Sequence, residues 1–419
     1  MIYLSLLFIA LLACGETPTG PSGPYGRIET FAGTGDAGKG PEEAPLLQAL
    51  FYLPQDLTYG PDGRLYILDW NNHRVRVVID QRVRRGIDQR VTTLIGTGEL
   101  GDAPAGRARE IGLNHPTHIS FDPLGRLILT AWHNSMILRY DFATDYIEPI
   151  CGTGERTYSG DAINLPSATA FDPLGRMYIS DQENQRIRMV DTDGTIRTVV
   201  GTGEPGFSGD GGPADQARIY APIGQAAPPT SRIATDEFGN LYLADTFNNR
   251  IRKIDAATGI ITTIAGNGNP TPYLTSGREE GAAALAVALN WPCDVAIDSE
   301  GRVFVADTFN HCVSYIDLDG ALYTAAGQCG KSGDMGDGGH PQSALLNRPY
   351  GIELDPDDNL YIADTRNHRI RLIVQIALDY HRPRKSLIYH PLGKSPHLGL
   401  GQQRVVADDQ IRAHMADAA

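Results

Sequence analysis

Side chains that can bind a metal ion or transfer a proton recur at one position of a repeated segment. In five segments a proline is followed, two residues later, by the residues Asp56, His118, Ala168, Asp294 and Gly351. Two carboxylates and an imidazole that met at one point would suit a Zn²⁺ ion or an acid–base pair. Asp56, His118 and Asp294 therefore form a candidate site, with His115 close to His118 in the sequence. The favoured interpretation is that these residues serve the fold, so no cofactor is expected, and a metal site is the alternative.

A second candidate cation site is the glycine-rich loop at 332–339. It contains Asp334 and Asp337, whose carboxylate oxygens are ligands that Ca²⁺ accepts. No glutamate follows at the spacing of an EF-hand, so a plain turn is favoured over a Ca²⁺ site. The sequence also lacks the G-x-S-x-G, H-E-x-x-H, P-loop and C-x-x-C patterns of common active sites, and no residue is predicted to be catalytic.

These side chains have to be positioned by a unit that occurs six times in the chain. Each copy contains an apolar strand that ends in a marker residue, then an Asn-containing turn and a further strand, as at 241–252. The marker residues are Asp69, Ala131, Asp181, Asp245, Asp307 and Asp364. A fourth strand with a Gly-rich end follows, as at 261–268. Six units of four strands predict an all-β fold, a six-bladed β-propeller, in which neighbouring sheets cover each other.

The two ends of the chain complete one blade. The sixth unit stops after its third strand at 370–374, and a segment of the missing type stands at 28–35. The N-terminal strand is therefore predicted to be the fourth strand of the last blade, which leaves no open sheet edge. The propeller is predicted to span residues 25–374.

The units resemble NHL repeats. The pattern A-D-x-x-N-x-R-I-R is complete at 244–252 and 363–371 and nearly complete at 180–188 and 68–76. The resemblance implies a propeller whose innermost strands line a central channel. It is unspecific for function, since NHL propellers include protein-binding and RNA-binding modules, kinase sensor domains and an amidating lyase.

The repeated Asp and Asn residues are expected to shape turns rather than to react. An Asp side chain can accept backbone N–H groups two or three residues later, and an Arg can bind carboxylates or carbonyl groups of the neighbouring turn. Catalysis needs one asymmetric site, whereas these residues occur in most units. His73, His311 and His368 stand in the same turns and are expected to face solvent.

Three cysteines fall at one end of the fifth predicted blade. Cys293 begins its first strand, Cys312 begins its third strand and Cys329 follows its fourth. Because the third and fourth strands are neighbours, a Cys312–Cys329 disulfide is preferred, and Cys293–Cys312 is the second choice. An exported protein can keep such a bond.

The N-terminus resembles the signal sequence of a bacterial lipoprotein. Residues 2–13 are uncharged and apolar, and a Leu-Leu-Ala segment precedes Cys14 as in a lipobox. The prediction is a signal peptide at 1–13, lipid on Cys14 and a flexible tether at 14–24. The alternative is an ordinary cleaved signal, because no Lys or Arg precedes the apolar run. In both cases the protein is exported, and the lipoprotein prediction places it in the outer membrane, in the periplasm or at the cell surface.

Charge and composition limit the partners of the chain. Its 419 residues carry a net charge of −14, which argues against a general nucleic-acid-binding protein. Residues 375–419 lack the repeat pattern, hold a basic stretch at 382–385 and are expected to be largely disordered. The favoured function is a monomeric, non-catalytic scaffold that recognises a protein, peptide or glycan and touches the membrane only through its lipid. The alternative is a metal-dependent lyase or lactone hydrolase at the channel mouth.

Overall fold

The chain forms a closed ring of six antiparallel sheets. The computed structural model describes residues 25–83, 86–158, 162–224, 228–270 and 279–375. Within these residues each sheet has four or five strands. The innermost strand of every sheet contacts the innermost strands of the two neighbouring sheets, and the sixth sheet contacts the first. The predicted six-bladed propeller is therefore confirmed.

The blades follow one another along the chain, except that the first strand belongs to the last blade. The strands are β1 (Tyr25–Ala32); in blade 1, β2 (Ala44–Pro45), β3 (Pro54–Tyr59), β4 (Leu65–Asp69), β5 (Arg74–Val83) and β6 (Gly86–Ile95); in blade 2, β7 (Gly106–Arg107), β8 (His118–Phe121), β9 (Leu127–Ala131), β10 (Met136–Asp141) and β11 (Tyr146–Cys151); in blade 3, β12 (Pro166–Phe171), β13 (Met177–Asp181), β14 (Arg186–Val190) and β15 (Ile196–Val200); in blade 4, β16 (Ile233–Thr235), β17 (Leu241–Asp245), β18 (Arg250–Ile254) and β19 (Ile261–Ala265); in blade 5, β20 (Ala282–Ala283), β21 (Pro292–Ile297), β22 (Val303–Asp307), β23 (Cys312–Ile316) and β24 (Ala321–Ala326); and in blade 6, β25 (Ile352–Leu354), β26 (Leu360–Asp364) and β27 (Arg369–Gln375).

Short 3-10 helices connect the strands. In the described residues they are Leu46–Gln48, Trp70–Asn72, Gln182–Asn184, Ala214–Gln216, Thr246–Asn248, Ala284–Ala286, Thr308–Asn310, Pro341–Ser343 and Thr365–Asn367. Five of them lie between the second and third strands of a blade, and each of these five is followed by one residue in the left-handed conformation, as at His368 (φ 52°). The helix and this residue turn the chain through the tight corner between two strands.

The N-terminal strand closes the ring as predicted. β1 pairs with β27 in antiparallel register, with Ile28 opposite Ile373 and Thr30 opposite Arg371. Ile28 is fully buried with the hydrophobic residues of blades 5 and 6. The ladder therefore covers the edge of β27 that would otherwise be exposed.

The hydrophobic core is divided among the interfaces between blades. In all six blades every residue of the second strand is buried. Between blades 6 and 1, for example, Ala32 and Ala363 pack with Phe51 and Ile67. Each sheet buries both faces against its neighbours, which explains why its strands are apolar at consecutive rather than alternate positions.

The propeller has two faces that differ in the segments they carry. The innermost strands begin on one side of the propeller, where the second strands also end at the 3-10 turns. We call this side the upper face. The lower face is the side on which the innermost strands end, at turns such as the one that begins at Asp236. β1 starts opposite Gln375, the last residue of β27, and thus begins at the lower face.

The preferred disulfide is present in blade 5. Cys312, at the start of β23, is bonded to Cys329, which follows β24, with a Cα–Cα distance of 5.1 Å. Cys293, the second-choice partner, is buried, and its thiol donates a hydrogen bond to the Trp291 carbonyl (3.4 Å). In blade 5 Cys312 occupies the place that Arg250 has in blade 4.

We expect the Cys329→Ser variant to be less stable than the wild type by about 3 kcal/mol. This is the free energy by which a disulfide that closes a loop of this size destabilises the unfolded chain, because it lowers the entropy of that chain. The two cysteines are 17 residues apart. Denaturant unfolding under non-reducing conditions measures the difference. A reducing agent should lower the stability of the wild type to that of the variant and leave the variant unchanged. Equal stabilities without reductant would contradict the prediction.

Three predictions concern residues beyond the described part of the chain. These are the signal peptide at 1–13, the lipidated tether from Cys14 to residue 24, and the C-terminal tail after Gln375. They lie outside the described residues. Among the residues that are described, none belongs to a helix with the length and apolar character needed to cross a bilayer.

Candidate functional site

The repeated Asp residues tie two loops of the upper face together. Asp245 accepts a hydrogen bond from the backbone N–H of Tyr220 (2.8 Å), and Asn248 donates to both of its carboxylate oxygens (2.9 and 2.8 Å). The buried guanidinium of Arg252 lies 3.2 Å from the same carboxylate. Burial raises the pKa of Asp245 to about 6, although these hydrogen bonds and Arg252 act to lower it. Similar sets surround Asp69, Asp181 and Asp364.

This arrangement confirms a turn-forming role but corrects its detail. The backbone donor is not two or three residues after the Asp, because Tyr220 precedes Asp245 by 25 residues and Asn347 precedes Asp364 by 17. The loop that enters the innermost strand folds back over the 3-10 turn of the same blade. The carboxylate therefore joins segments that are distant in sequence.

The histidines that follow these turns join neighbouring blades. His368 Nδ1 accepts a hydrogen bond from the Leu53 N–H of blade 1 (3.1 Å), and His311 Nδ1 accepts one from Arg348 of blade 6 (3.2 Å). Asn249 does the same for the Trp291 N–H (3.0 Å). The prediction that these histidines face solvent was wrong, because the left-handed residue points its side chain at the start of the next blade.

The loop with Asp334 and Asp337 belongs to this structural network. Arg371 Nη2 and the Thr30 hydroxyl each donate to the Asp337 carboxylate at 2.6 Å, on different oxygens. The backbone carbonyl of Asp334 accepts a bond from Arg369 (3.4 Å). In the part of the chain that the structure describes, no three His, Cys, Asp or Glu side chains are grouped so that they could hold a metal ion. The Asp337 carboxylate is thus engaged in closing blade 6.

Three of the four channel-mouth candidates meet at the centre of the propeller, around an arginine that the repeat pattern did not predict. Arg232 enters from blade 4 and is fully buried. Its Nη1 lies 2.8 Å from Asp56 Oδ1 and 3.2 Å from Asp294 Oδ2, and its Nη2 donates to the carbonyls of Gln55 (3.0 Å) and Thr117 (2.9 Å). The guanidinium therefore crosses the channel from blade 4 to blade 1.

The sequence did contain a signal for Arg232. The candidate residues were found by counting two positions from a proline. Blade 4 has no proline at the corresponding position, so this count did not identify Arg232. Counted from the marker residues, however, Asp56, Asp294 and Arg232 all stand 13 positions before the end of the second strand. The sixth residue of this set, Gly351, makes room for the arginine, since a Cβ there would lie 2.9 Å from Arg232 Nη1 and 2.6 Å from the Gln55 carbonyl oxygen.

The carboxylate oxygens of Asp56 and Asp294 all interact with groups of the protein itself. Asp56 Oδ2 accepts the Ile119 N–H (2.7 Å), and Asp294 Oδ2 accepts the Ile352 N–H (3.0 Å). Burial raises the pKa of Asp56 to about 6, while Arg232 acts to lower it. A metal ion at this point would have to displace the guanidinium. We call the group of Asp56, Asp294 and Arg232 the central brace.

The histidine beside the brace is neutral. His118 Nε2 lies 3.9 Å from Asp56 Oδ2, and its Nδ1 accepts a weak hydrogen bond from the Thr169 N–H (3.4 Å). Burial and the charge of Arg232 lower the pKa of His118 to about 3. An imidazole with this pKa does not carry a proton at neutral pH, so it cannot serve as a general acid there.

His115 lies in a different group, at the upper-face junction of blades 1 and 2. Its ring is 4.5 Å from that of His73, 5.0 Å from that of His133 and 5.0 Å from that of Trp70, between centroids. Its Nδ1 contacts the Asn114 side-chain oxygen (3.0 Å). Burial and the two neighbouring histidines lower the pKa of His115 to about 4.

Half-buried aromatic rings form a row along the upper face, which sequence reasoning did not find. Successive ring centroids are 5.0 Å apart for Tyr220 and Phe247, 4.6 Å for Phe247 and Trp291, and 4.6 Å for Trp291 and Phe309. The Arg348 guanidinium continues the row, 4.3 Å from the Phe309 centroid. The row, from Tyr220 to Arg348, follows the loops and turns of blades 4 to 6. Its members are distant in sequence, so no local sequence pattern predicts the row.

On the lower-face side of the brace the channel widens into a cavity of about 380 Å³. All six innermost strands line it, from the level of Asp56 to the level of Tyr59. The guanidinium of Arg232 binds carbonyls one residue nearer the upper face, so it stands at the upper end of the cavity.

Comparisons with known proteins agree with this architecture. The family model described as NHL repeat matches residues 51–78, 289–314 and 346–371. The chain carries NHL repeats. The matched segments of this NHL-repeat propeller contain the innermost strands, the 3-10 turns and the paired Asp and Asn residues of blades 1, 5 and 6.

Curated relatives of the NHL-repeat propeller are much longer proteins. The chain is 30% identical over 294 residues to the protein SUPPRESSOR OF QUENCHING 1, chloroplastic, of Arabidopsis thaliana. The aligned region covers 67% of this chain and 26% of that protein. It is 27% identical over 154 residues to NHL repeat-containing protein 2 of Gallus gallus. Here the aligned region covers 36% of this chain and 21% of that protein. The chain thus spans about a quarter or less of these relatives.

Solved bacterial structures share the fold. A structural genomics protein of unknown function from Bacteroides thetaiotaomicron superposes with a TM-score of 0.60 at 19% identity, covering 83% of this chain and 75% of that one. An auxiliary nutrient binding protein from Bacteroides ovatus gives 0.56 at 17% identity, covering 84% and 77%. At these identities the likeness establishes the propeller fold alone.

Proposed function

We propose that this NHL-repeat propeller is a non-catalytic binding protein that recognises a protein, peptide or glycan with its upper face. The observation that supports the proposal is the aromatic row from Tyr220 to Arg348. Partly exposed rings offer a large contact area with few rotatable bonds, so they lose little entropy when a ligand covers them. The loops that carry them are held by the rigid blades, which suits recognition.

The anchoring of the row makes it a preformed surface. The Trp291 backbone is held by Asn249 at 3.0 Å, and the Phe309 N–H donates to the Asn290 carbonyl at 3.0 Å. The Phe247 N–H is bound in the same way by the Tyr220 carbonyl (2.9 Å). A surface that is ordered before binding gains affinity because less conformational entropy is lost on association.

The alternative function, a metal-dependent lyase or lactone hydrolase, is not supported by the geometry of the channel. Its candidate ligands Asp56 and Asp294 form the central brace with Arg232, and their oxygens also accept backbone N–H groups. A metal cation could bind these carboxylates only if it displaced the Arg232 guanidinium from them. We therefore propose that these residues stabilise the ring rather than perform a reaction.

The position of the first strand fits export with the upper face turned outwards. β1 begins at the lower face, eleven residues after the predicted lipidation residue Cys14. A lipid at Cys14 would hold the lower face towards the membrane and leave the aromatic row accessible. The Cys312–Cys329 disulfide and the similar bacterial structures, among them one described as an auxiliary nutrient binding protein, support a location in the envelope or outside the cell.

We expect Trp291→Ala and Phe309→Ala to weaken ligand binding at least about fivefold each, because a central aromatic side chain contributes more than about 1 kcal/mol at a typical interface. Binding of the purified protein to arrays of peptides and oligosaccharides, followed by titration of the ligands that are captured, measures the effect. Phe238→Ala is the matched control, since this ring is 76% exposed but lies in a lower-face turn. Loss of binding in the control, with full binding in the two variants, would refute the proposal.

A further inference from the structure

The cavity below the central brace has one chemically distinct wall. Two residues after the position that Asp56 holds in blade 1, five blades have the small residues Thr58, Ser120, Ala170, Ala234 and Ala296. Blade 6 has Glu353 at this position. Both Thr58 and Glu353 line the cavity. A single carboxyl group in an otherwise small-residue ring breaks the symmetry of the repeat, as a binding site requires.

The Glu353 carboxyl group is positioned by blade 1 and keeps one oxygen available. Its Oε1 accepts hydrogen bonds from the Tyr59 N–H (3.1 Å) and the Thr58 hydroxyl (3.3 Å). Its Oε2 accepts no hydrogen bond from the described part of the chain. The side chain is half-buried rather than sealed in the wall. It can therefore receive a donor that enters the cavity.

The charges around the cavity favour a cation. Asp56 and Asp294 carry two negative charges against the single positive charge of Arg232, and the neutral His118 adds none. Burial, together with the nearby carboxylates of Asp56 and Asp294, raises the pKa of Glu353 to about 8. Glu353 is thus a neutral acid near pH 7 that stands in a negative field, which a ligand cation would relieve.

Three aromatic residues belong to the lower part of the same cavity wall. Tyr59, Phe121 and Phe171 stand at the lower ends of β3, β8 and β12, and all three are among the lining residues. The faces of aromatic rings attract organic cations within about 6 Å, more strongly where water is excluded. A volume of about 380 Å³ is at the small end of the range for ligand pockets.

We propose that the lower-face cavity binds a small organic ammonium ion, whose N–H groups donate to Glu353 while its hydrocarbon part lies against Tyr59, Phe121 and Phe171. The site is separate from the aromatic row of the upper face, and it does not depend on the function proposed for that row. When the ammonium ion binds, the Glu353 carboxyl group releases its proton to solvent, and the ligand keeps its own protons.

Proton release makes the affinity depend on pH. The titratable and charged groups that face Glu353 are Asp56 and Tyr59 on β3, Asp294 on β21, Tyr361 on β26, and His118 and Arg232 across the channel. Of these, His118 stays neutral and Arg232 stays charged near pH 7. The affinity for the ammonium ion therefore rises as the pH increases towards 8, because less work is needed to deprotonate Glu353.

Calorimetric titration with n-butylamine, which is protonated at neutral pH, tests the site, and 1-butanol is the neutral ligand of equal length. We expect the amine to bind at least tenfold more tightly than the alcohol. In buffers that differ in their ionisation enthalpy, binding at pH 7 should release close to one proton. These two results use the wild-type protein and do not depend on any variant.

Glu353→Gln should abolish both the preference for the amine and the proton release, because the amide still accepts the bonds from Thr58 and Tyr59 but carries no charge. Glu237→Gln, on an exposed lower-face turn, is the matched control and should behave as the wild type. Trp291→Ala should also leave amine binding unchanged. Equal binding of amine and alcohol, no binding of the amine at millimolar concentration, or an unchanged preference in Glu353→Gln would each overturn the proposal.

Discussion

Replacing Arg232 by methionine is expected to lower the free energy of unfolding by about 3–5 kcal/mol, the cost of leaving buried carboxylates without their partner. The guanidinium is fully buried and forms ion pairs with Asp56 and Asp294 at 2.8 and 3.2 Å. It also satisfies the carbonyls of Gln55, next to Asp56 on β3, and of Thr117, just before β8. Denaturant unfolding at pH 7.5, followed by tryptophan fluorescence and circular dichroism, measures the loss.

The pH dependence separates lost charge pairing from lost packing. Burial already raises the pKa of Asp56 to about 6 in the wild type, and without Arg232 this pKa should rise further. The protonated acid needs no cation, so the deficit of Arg232→Met should shrink as the pH falls from 7.5 towards 6. Adding Asp56→Asn and Asp294→Asn should restore part of the stability at pH 7.5. Arg64→Met, at a half-exposed arginine of a lower-face turn, is the control and should change stability by less than about 0.5 kcal/mol.

Removing the N-terminal strand is expected to abolish cooperative folding of the propeller. A chain that starts at Gly35 lacks β1, whose Ile28 and Ala32 are fully buried and whose Phe31 packs edge-on against Tyr361 at 5.3 Å. The lost burial amounts to more than about 5 kcal/mol, which is comparable to the whole stability of a typical domain. The edge of β27 would also be open to pairing with other chains.

Size-exclusion chromatography and thermal unfolding of two truncated chains test this prediction. The chain that starts at Gly35 should aggregate or unfold without a sharp transition. The control starts at Pro24, retains β1 and should unfold with the same midpoint as the longer chain. A soluble, cooperatively unfolding chain without β1 would show that the last blade does not need this ladder.

The architecture and its closure could be predicted because they depend on local and repeated features. The motif at 244–252 returns with similar spacing along the chain, and each copy builds the same strand, turn and strand. The closing ladder between β1 and β27 followed from the order of the elements alone. The Cys312–Cys329 bond could also be predicted, because strand order places the two cysteines at neighbouring ends.

The candidate site could be predicted only in part. The repeat spacing brought Asp56, His118 and Asp294 together, but it did not show that Arg232 enters between the two carboxylates from the opposite blade. It also grouped His115 with them, whereas this ring packs against His73 and His133. The turn histidines were expected in solvent because a pattern within one blade does not describe contacts with the next.

By itself the sequence determined the repeated unit and the number of blades, which depend on residues close together in the chain, and the way the ring closes, which follows from the order of the elements. Only the tertiary structure decided what those residues do at the centre and on the faces. It brings Arg232 to Asp56 across 176 positions, aligns Phe247 with Trp291 and Phe309 on one surface, and leaves Glu353 beside a cavity. The physical reason is that charge neutralisation, desolvation and ring contacts act over a few ångströms in space, whatever the separation along the chain.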